Sequence, residues 1–386
     1  MTHIAWLGKK SPFCGNVTYG LTTTEALRLR GHEISFIHFD TPVGAEASSA
    51  GPEVALPYLV KSQVYTIPSP GAQRELRESL ERLRPDLVHA SLTLSPLDFR
   101  LPDLCQQLGL PLVATFHPPF DASLRNLSAG TQQLTYQLYA PSLARYDRVV
   151  VFSELQADVL MRLGVPAQRL AVIPNGVDPE RWCPAPTPTA SEHLAELRQR
   201  FAGRRVFLYM GRIATEKNVE ALLRAWRLVQ PAGCRLLIVG DGPLRSALEA
   251  SYSDPSVLWW GYEPRLEMRV ALQQLAEVFL LPSLVEGLSL SLLEAMASGT
   301  ACVATDAGAD GEVLEGGAGI VISTQGVTTQ LRTLLPVLRD QPVLTAALGR
   351  QARERVLQRY TLQGNIDALE QLYDQLLAPS QSVVPA

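Results

Sequence analysis

The chain has 386 residues, 46% of them hydrophobic and 19% charged, and carries a formal net charge of −4. The length points to two domains of ordinary size, each able to bury its own core, and the composition excludes long disorder. The charge excludes a basic field for nucleic acid or strong anchoring to anionic lipid, while weak peripheral contact with a membrane stays compatible with it. The five cysteines lie far apart with no CxxC or zinc spacing and read as reduced thiols. IAWLG near the N-terminus is too short for a signal segment, and no uncharged run of about 18 apolar residues occurs after it. A cytoplasmic protein is expected.

Taken in chain order, short runs rich in β-branched residues alternate with segments of helical period, the pattern of βα units and parallel sheets. In the first half strands are expected at 3–7, 33–39, 86–92, 111–117, 148–152 and 170–174. A helix is expected from Pro70 to Arg84, with Leu76, Leu80 and Leu83 on one face. CPAPTPTASEHL (183–194) holds three prolines and interrupts the alternation. The pattern restarts with strands at 206–211, 234–240, 256–262, 277–283, 301–308 and 318–323. This pattern gives two doubly wound α/β domains. Ligands of such sheets sit beyond the carboxyl ends of the strands, so the loops there carry the candidate residues.

In YMGRIATEKNV a strand ends at Gly211, and Arg212 and Lys217 come next in the turn to a helix. An arginine fork, a lysine point charge and helical N–H groups suit a phosphate. Each unit charge pair at about 4 Å is worth roughly 4 kcal/mol at an effective dielectric near 20, before desolvation. The competing reading is two solvated loop cations. Glu286 and Glu294 are the only charges between Glu277 and Asp306, in a stretch that otherwise reads as buried strand and helix. A buried carboxylate needs a partner. At the start of a helix the pair can accept hydrogen bonds from vicinal sugar hydroxyls, although a loop-tip charge and a helix-surface charge are the plain alternative.

In GKKSPFCGNVTYG, Gly15 lets the backbone approach a ligand, and Asn16 or Thr18 is placed to cap the first helix. His117 closes a strand before the stiff turn PPFD, ending at Asp121, and is placed either for a substrate hydroxyl or for a backbone bond. The other five histidines show no metal spacing and read as structural. VGDGPLRSA lacks the third glycine of a dinucleotide fingerprint, and no phosphate loop of the GxxxxGK[ST] kind or HExxH occurs. No aspartate pair one residue apart is present to hold a divalent ion on a diphosphate, so the cations stand in for a metal. No resident cofactor is expected.

Together CGNVTYG, TFHPPFD, VIPNGVD (172–178), GRIATEKN, VGDGP and PSLVEGLSLSLLEAMASGTACVAT resemble the retaining nucleotide-sugar glycosyltransferases of the GT-B fold, glycosyltransferase family 4. The resemblance covers nearly the whole chain. It implies two domains facing a cleft: 1–170 on the acceptor side, 171–360 binding the nucleotide sugar, and 361–386 forming a helix that crosses back to the first. It also implies that Arg212 and Lys217 bind the donor diphosphate, with Gly211 at the turn, and that Glu294 holds the ribose. Glu286 and the backbone N–H groups of Gly287, Leu288 and Ser289 would hold the donor sugar. His117 would touch the sugar, Gly15 and Asn16 would lie against the donor, and the base would pack near GDGP and Trp259–Trp260. The chain departs from the family at Cys14-Gly15, at Leu288, where an aromatic is usual, and at Gly308-Ala309, where two glycines are usual.

The activity implied by the resemblance is a metal-independent transfer of a hexosyl group, from UDP-galactose or UDP-glucose to a hydroxyl acceptor, with retained configuration. The opening segment also resembles cyanobacterial lipid glycosyltransferases, including digalactosyldiacylglycerol synthases, which makes a membrane glycolipid such as monogalactosyldiacylglycerol one acceptor. Residues 124–146, with three tyrosines and few charges, read as a lipid-facing amphipathic element or as ordinary helix packed on the sheet. A soluble sugar or small-molecule acceptor, a nucleotide-sugar epimerase and a non-catalytic binding subunit are the alternatives.

Overall fold

The computed structural model describes residues 1–11, 15–39, 52–62, 65–119, 127–185 and 191–378, with 127–131 as backbone. They form two compact units. One comprises Met1–Pro118, Leu134–Ile173 and Gly364–Ala386, the other Pro119–Gln133 and Pro174–Gln363.

The N-terminal unit contains β1 (His3–Gly8), β2 (Glu33–Phe39), β3 (Glu53–Leu56), β4 (Tyr58–Lys61), β5 (Thr66–Pro68), β6 (Leu87–Ser91), β7 (Leu112–Thr115), β8 (Arg148–Val151) and β9 (Leu170–Val172). Seven of these make one parallel sheet in the order β3-β2-β1-β6-β7-β8-β9, and β4 and β5 pair antiparallel as a separate hairpin. Buried on both faces, the central strands are almost wholly apolar, as in Ile4, Ala5, Trp6 and Leu7 of β1. The three short strands β3 to β5 have no counterpart in the sequence expectation. Pro52, Pro57 and Pro68 break this stretch into pieces of three or four residues, too short to show a period.

Leu76 and Leu80 of the helix Ala72–Leu83 are buried, while Leu83 is partly exposed. The helix Leu362–Leu377 packs in this unit through Ile366, Leu369, Leu372 and Tyr373, and Arg30 meets Asp367 at 2.6 Å and Glu370. Helix Leu127–Leu143 turns its tyrosines inward. Tyr136 donates to Pro118 O (2.8 Å), Tyr139 to Asp98 Oδ2 (2.9 Å), and Tyr146, just beyond the helix, to Asp98 O (2.7 Å). These tyrosines are core, which corrects the lipid-facing reading of them; Leu134 and Leu138 are the exposed members.

The C-terminal unit contains β10 (Arg205–Met210), β11 (Cys234–Val239), β12 (Val257–Gly261), β13 (Val278–Leu281), β14 (Ala301–Thr305) and β15 (Ile320–Ile322), parallel in the order β12-β11-β10-β13-β14-β15. Ser191 caps the helix Glu192–Arg200 that precedes it, so the proline-rich interruption ends where this unit's first described helix begins. Both sheets are doubly wound. The strand order reverses between β1 and β6 in one and between β10 and β13 in the other, and in folds of this kind ligands sit beyond the carboxyl ends at such a reversal.

Candidate active site

At the reversal between β10 and β13, two loops are fastened to one another. After β10, Gly211 N donates to Val239 O and Ile213 N to Asp241 O, bringing the loop against the GDGP turn after β11. Gly240 has φ +134°, and a Cβ there would lie 1.9 Å from Gly211 O, so no other residue fits. The chain then makes a short 3-10 turn over Thr215–Lys217 and passes through Asn218 at φ 51° into the helix Val219–Val229. Asn218 Nδ2 bonds Pro282 O (3.2 Å), and Leu284 N bonds Glu216 O (2.8 Å). The loop after β13 is thereby held beside the loop after β10.

Lys217 Nζ sits 2.5 Å from Glu286 Oε1, which also accepts from Ser283 Oγ at 2.7 Å. Glu286 is buried and Lys217 largely so. Arg212, more exposed, pairs with Glu216. Beneath both lies Tyr209, fully buried, donating to Arg212 O at 2.7 Å. Burial, with the Glu286 and Glu216 charges behind it, pushes its phenol well above the ordinary range, so it stays neutral.

The loop after β14 closes the site from the other side. Gly308 has φ +58°, and a Cβ there would lie 2.1 Å from Glu286 O. Ala309 N donates to Gly287 O (2.8 Å), so the backbone at this alanine clamps the loop that carries Glu286. Asp310 comes next, fully buried, accepting from Ser289 N at 3.0 Å through Oδ1 while Oδ2 has no partner among the described residues. Burial raises its carboxyl well above the usual range, the Glu286 charge raises it further, and Ser289 N–H and Lys217 oppose the shift. Burial and the neighbouring carboxylate thus bias Asp310 toward its neutral form beside an ion pair. Ser289 N–H, expected to face a ligand, is bonded to Asp310 in this structure. The sequence signal was an aspartate among small residues just after a core strand, where Asp310 stands after Ala307, Gly308 and Ala309.

Ser289 Oγ caps the helix Leu290–Ala297 through Leu292 N, and Glu294 lies in the second turn of that helix, partly exposed. Burial of most of its carboxyl raises it to about 7, with Arg269 opposing. Trp260 is engaged within its own unit, donating to Glu263 Oε2 (3.1 Å) with the Arg200 guanidinium 5.2 Å from its ring centroid.

At the reversal between β1 and β6 the hydrogen-bonded groups are neutral, with the buried Lys9 the charge beside them. The first helix starts at Gly15, so Asn16 and Thr18 lie inside its first turn and do not cap it. Asn16 Nδ2 donates to Leu92 O (3.0 Å), and Ser91 Oγ donates to Asn16 Oδ1 (3.0 Å). Ser91 Oγ also lies 2.8 Å from His117 Nε2. Deeper, His89 joins Thr115 Oγ1 (2.7 Å) and the Tyr373 hydroxyl (2.5 Å). Burial lowers both histidines to about 3, with the Lys9 ammonium adding for His117 and His117 itself adding for His89. Gly15 is exposed, and a Cβ there meets nothing within 4 Å among the described residues. Cys14 and Asp121 lie outside the described residues.

Two family models cover this chain. One described as "Glycosyltransferase Family 4" matches residues 15–181, and one described as "Glycosyl transferases group 1" matches residues 204–340. A GDP-mannose-dependent alpha-mannosyltransferase of Mycobacterium tuberculosis is 29% identical over 88% of this chain and 84% of its own length. The alpha-monoglucosyldiacylglycerol synthase of Streptococcus pneumoniae is 26% identical over 52% of this chain and about half (47%) of that relative. Among solved structures, Anabaena HepE in complex with UDP and glucose superposes with a TM-score of 0.77 at 17% identity, over 97% of this chain and 100% of that one, a likeness of fold. With doubly wound parallel sheets in both units and both halves of the chain matched, the protein is a glycosyltransferase of the family-4-like GT-B group.

Proposed function

We propose that the protein transfers a hexosyl group from a nucleotide sugar, UDP-galactose or UDP-glucose in the first place, to a hydroxyl acceptor with retention of anomeric configuration. The observation that carries this reading is the Lys217–Glu286 pair at the sheet reversal, with Arg212 in the loop that bears Lys217. In this reading the donor diphosphate takes Lys217 from Glu286 and Arg212 from Glu216. Glu286, released from the lysine, accepts from hydroxyls of the donor sugar. Gly287 and Leu288 supply backbone N–H groups, Gly211 and Gly15 allow close approach, and Glu294 accepts from the ribose. His117 serves a substrate hydroxyl.

The acceptor oxygen attacks the anomeric carbon from the face that the diphosphate leaves. The bond from that carbon to the phosphate oxygen breaks, the bond to the acceptor oxygen forms, and the acceptor proton passes to the departing phosphate. Arg212 and Lys217 stabilise the charge gathered on that phosphate without a metal. We favour a membrane glycolipid as acceptor. In support are the likeness to a lipid-glycosylating relative and the exposed apolar side chains Leu59, Val60 and Ile67 on the β4–β5 hairpin and Leu134 and Leu138 on the helix Leu127–Leu143. Among the described residues no helix is long and apolar enough to cross a membrane, so contact of this kind would be peripheral.

A screen of UDP-, GDP- and ADP-sugars for protection against thermal unfolding identifies the donor. Product analysis by NMR with EDTA present then reads linkage and metal dependence, using galactolipid vesicles in one arm and soluble sugars in the other. Protection by a nucleotide sugar and an α-linked product from an α-linked donor are expected. An inverted product, or turnover abolished by EDTA and restored by a divalent ion, contradicts the mechanism. Transfer to soluble sugars alone contradicts the lipid acceptor.

A further inference from the structure

Chemistry alone fixes the direction of every bond from Leu92 to His117. A backbone carbonyl only accepts, so the Asn16 atom 3.0 Å from Leu92 O is the amide nitrogen. That leaves Asn16 Oδ1, an acceptor, facing Ser91 Oγ at 3.0 Å, and the single hydroxyl proton of Ser91 must point there. Ser91 Oγ can then only accept from the other side, where His117 Nε2 stands at 2.8 Å. The proton of the neutral imidazole is thus on Nε2, and Nδ1 carries the lone pair. Among the described residues Nδ1 has no hydrogen-bond partner, and the ring is partly exposed at the carboxyl end of β7. Tyr19 stands edge-on to the ring at 5.0 Å and Phe152 at 5.2 Å, which keeps its plane fixed.

We infer that Asn16 and Ser91 are positioning residues that hold His117 in its Nε2–H tautomer. The group presented to substrate is then a hydrogen-bond acceptor, one that selects a sugar hydroxyl and rejects a phosphate or carboxylate oxygen. This rests on the glycosyl-transfer reading for the identity of the hydroxyl, but the relay itself is a property of the ligand-free protein. Lowering of the imidazole to about 3 by burial and by Lys9 supports it, because a neutral ring at working pH has a tautomer to select. Among the described residues the charged or titratable neighbours of the ring are Lys9, His89 and Tyr19.

The test is a long-range nitrogen–proton correlation spectrum of the histidine-labelled full chain at pH 7.5, with His117→Gln identifying the signal. Wild type and Ser91→Thr are expected to show His117 as the Nε2–H form alone. Ser91→Ala is expected to show a measurable Nδ1–H fraction and about a tenfold loss in kcat/KM for the donor, restored in Ser91→Thr, as befits one orienting hydrogen bond. An Nδ1–H ring in wild type overturns the inference, even if Ser91→Ala fails to fold, and so does an unchanged tautomer in Ser91→Ala. A tautomer shift in Ser91→Ala with wild-type donor kinetics overturns the substrate contact. The expected spectra from a protein that consumes no nucleotide sugar would leave the relay standing and refute the glycosyl-transfer reading alone.

Discussion

The two units fasten the loops at their sheet reversals with opposite chemistry. In the N-terminal unit the fastening is neutral: Asn16, Ser91, His117, His89, Thr115 and Tyr373 exchange hydrogen bonds, and burial keeps both rings uncharged. In the C-terminal unit it is ionic: Arg212 with Glu216 and Lys217 with Glu286, beside the buried Asp310. A neutral network fixes the direction of each hydrogen bond and ignores salt. An ionic one holds cations against internal carboxylates until a stronger anion takes them, and it answers to salt and pH. The division suits a reaction in which one partner brings hydroxyls and the other brings a diphosphate.

The largest effect expected concerns the helix Leu362–Leu377. Its buried Ile366, Leu369, Leu372 and Tyr373 are worth roughly 1.5–3 kcal/mol each, and Tyr373 also completes the bond to His89. Truncation after Gln363 should unfold the N-terminal unit at temperatures where the C-terminal unit persists, seen as loss of one calorimetric transition. Simultaneous loss of both would show that the two do not melt independently. Next is Lys217→Ala, expected to lower turnover by about 10²–10³ with the fold retained. Turnover at the wild-type rate would remove Lys217 from the chemistry.

Acidification sharpens the contrast because the buried groups shift in opposite directions. His89 sits at about 3 against an ordinary 6.5, so the folded N-terminal unit binds fewer protons than the unfolded chain. Its stability is full above about pH 6.5 and falls as pH drops toward 3, by up to about 1.4 kcal/mol per pH unit for this ring. Asp98, raised by burial to about 6, offsets part of this below pH 6. Glu294, at about 7 against 4.5, does the reverse: the folded C-terminal unit binds more protons, and its stability rises as pH falls from 7 to 4.5. Calorimetry between pH 7.5 and 5.5 should therefore move the two transitions apart, and a common shift would contradict the assignment.

The same carboxyl predicts a smaller effect on binding. If ionised Glu294 holds the ribose, nucleotide affinity weakens as pH drops below about 7 with a one-proton slope, and Glu294→Gln removes the slope. A slope that survives in that variant belongs to another group. Smallest is the response to salt. Raising ionic strength should weaken nucleotide binding a few-fold through the more exposed Arg212, while the Ser91 relay stays unchanged in the nitrogen spectrum.

Strands that cross the middle of a sheet were legible because burial on both faces makes them continuous apolar runs, as in VFLLP leading to Glu286 and in VFLYM leading to Arg212. The two charges left in the stretch after Glu277 marked candidate residues because carboxylates are costly there. Short edge strands between Pro52 and Pro68 were not legible, having neither length nor period. Nor were Glu216, Asn218, Asp310 and Ser91, whose roles arise from partners 64 to 75 residues away or from burial that only the folded loops create. Asn16 shows the limit most clearly. Its type and place suggested a cap, whereas a helix starting one residue earlier turns its amide into a relay.

In the proposed reaction Arg212 and Lys217 exchange their carboxylates for the donor diphosphate. Isothermal titration of a nucleoside diphosphate and of the matching nucleoside, into wild type and into the Arg212→Ala/Lys217→Ala double variant, tests it most directly. Wild type should prefer the diphosphate by about 100-fold, the scale of two charge-assisted contacts, and the double variant should bind the two alike. A diphosphate preference that persists in the double variant would mean that other groups hold the diphosphate.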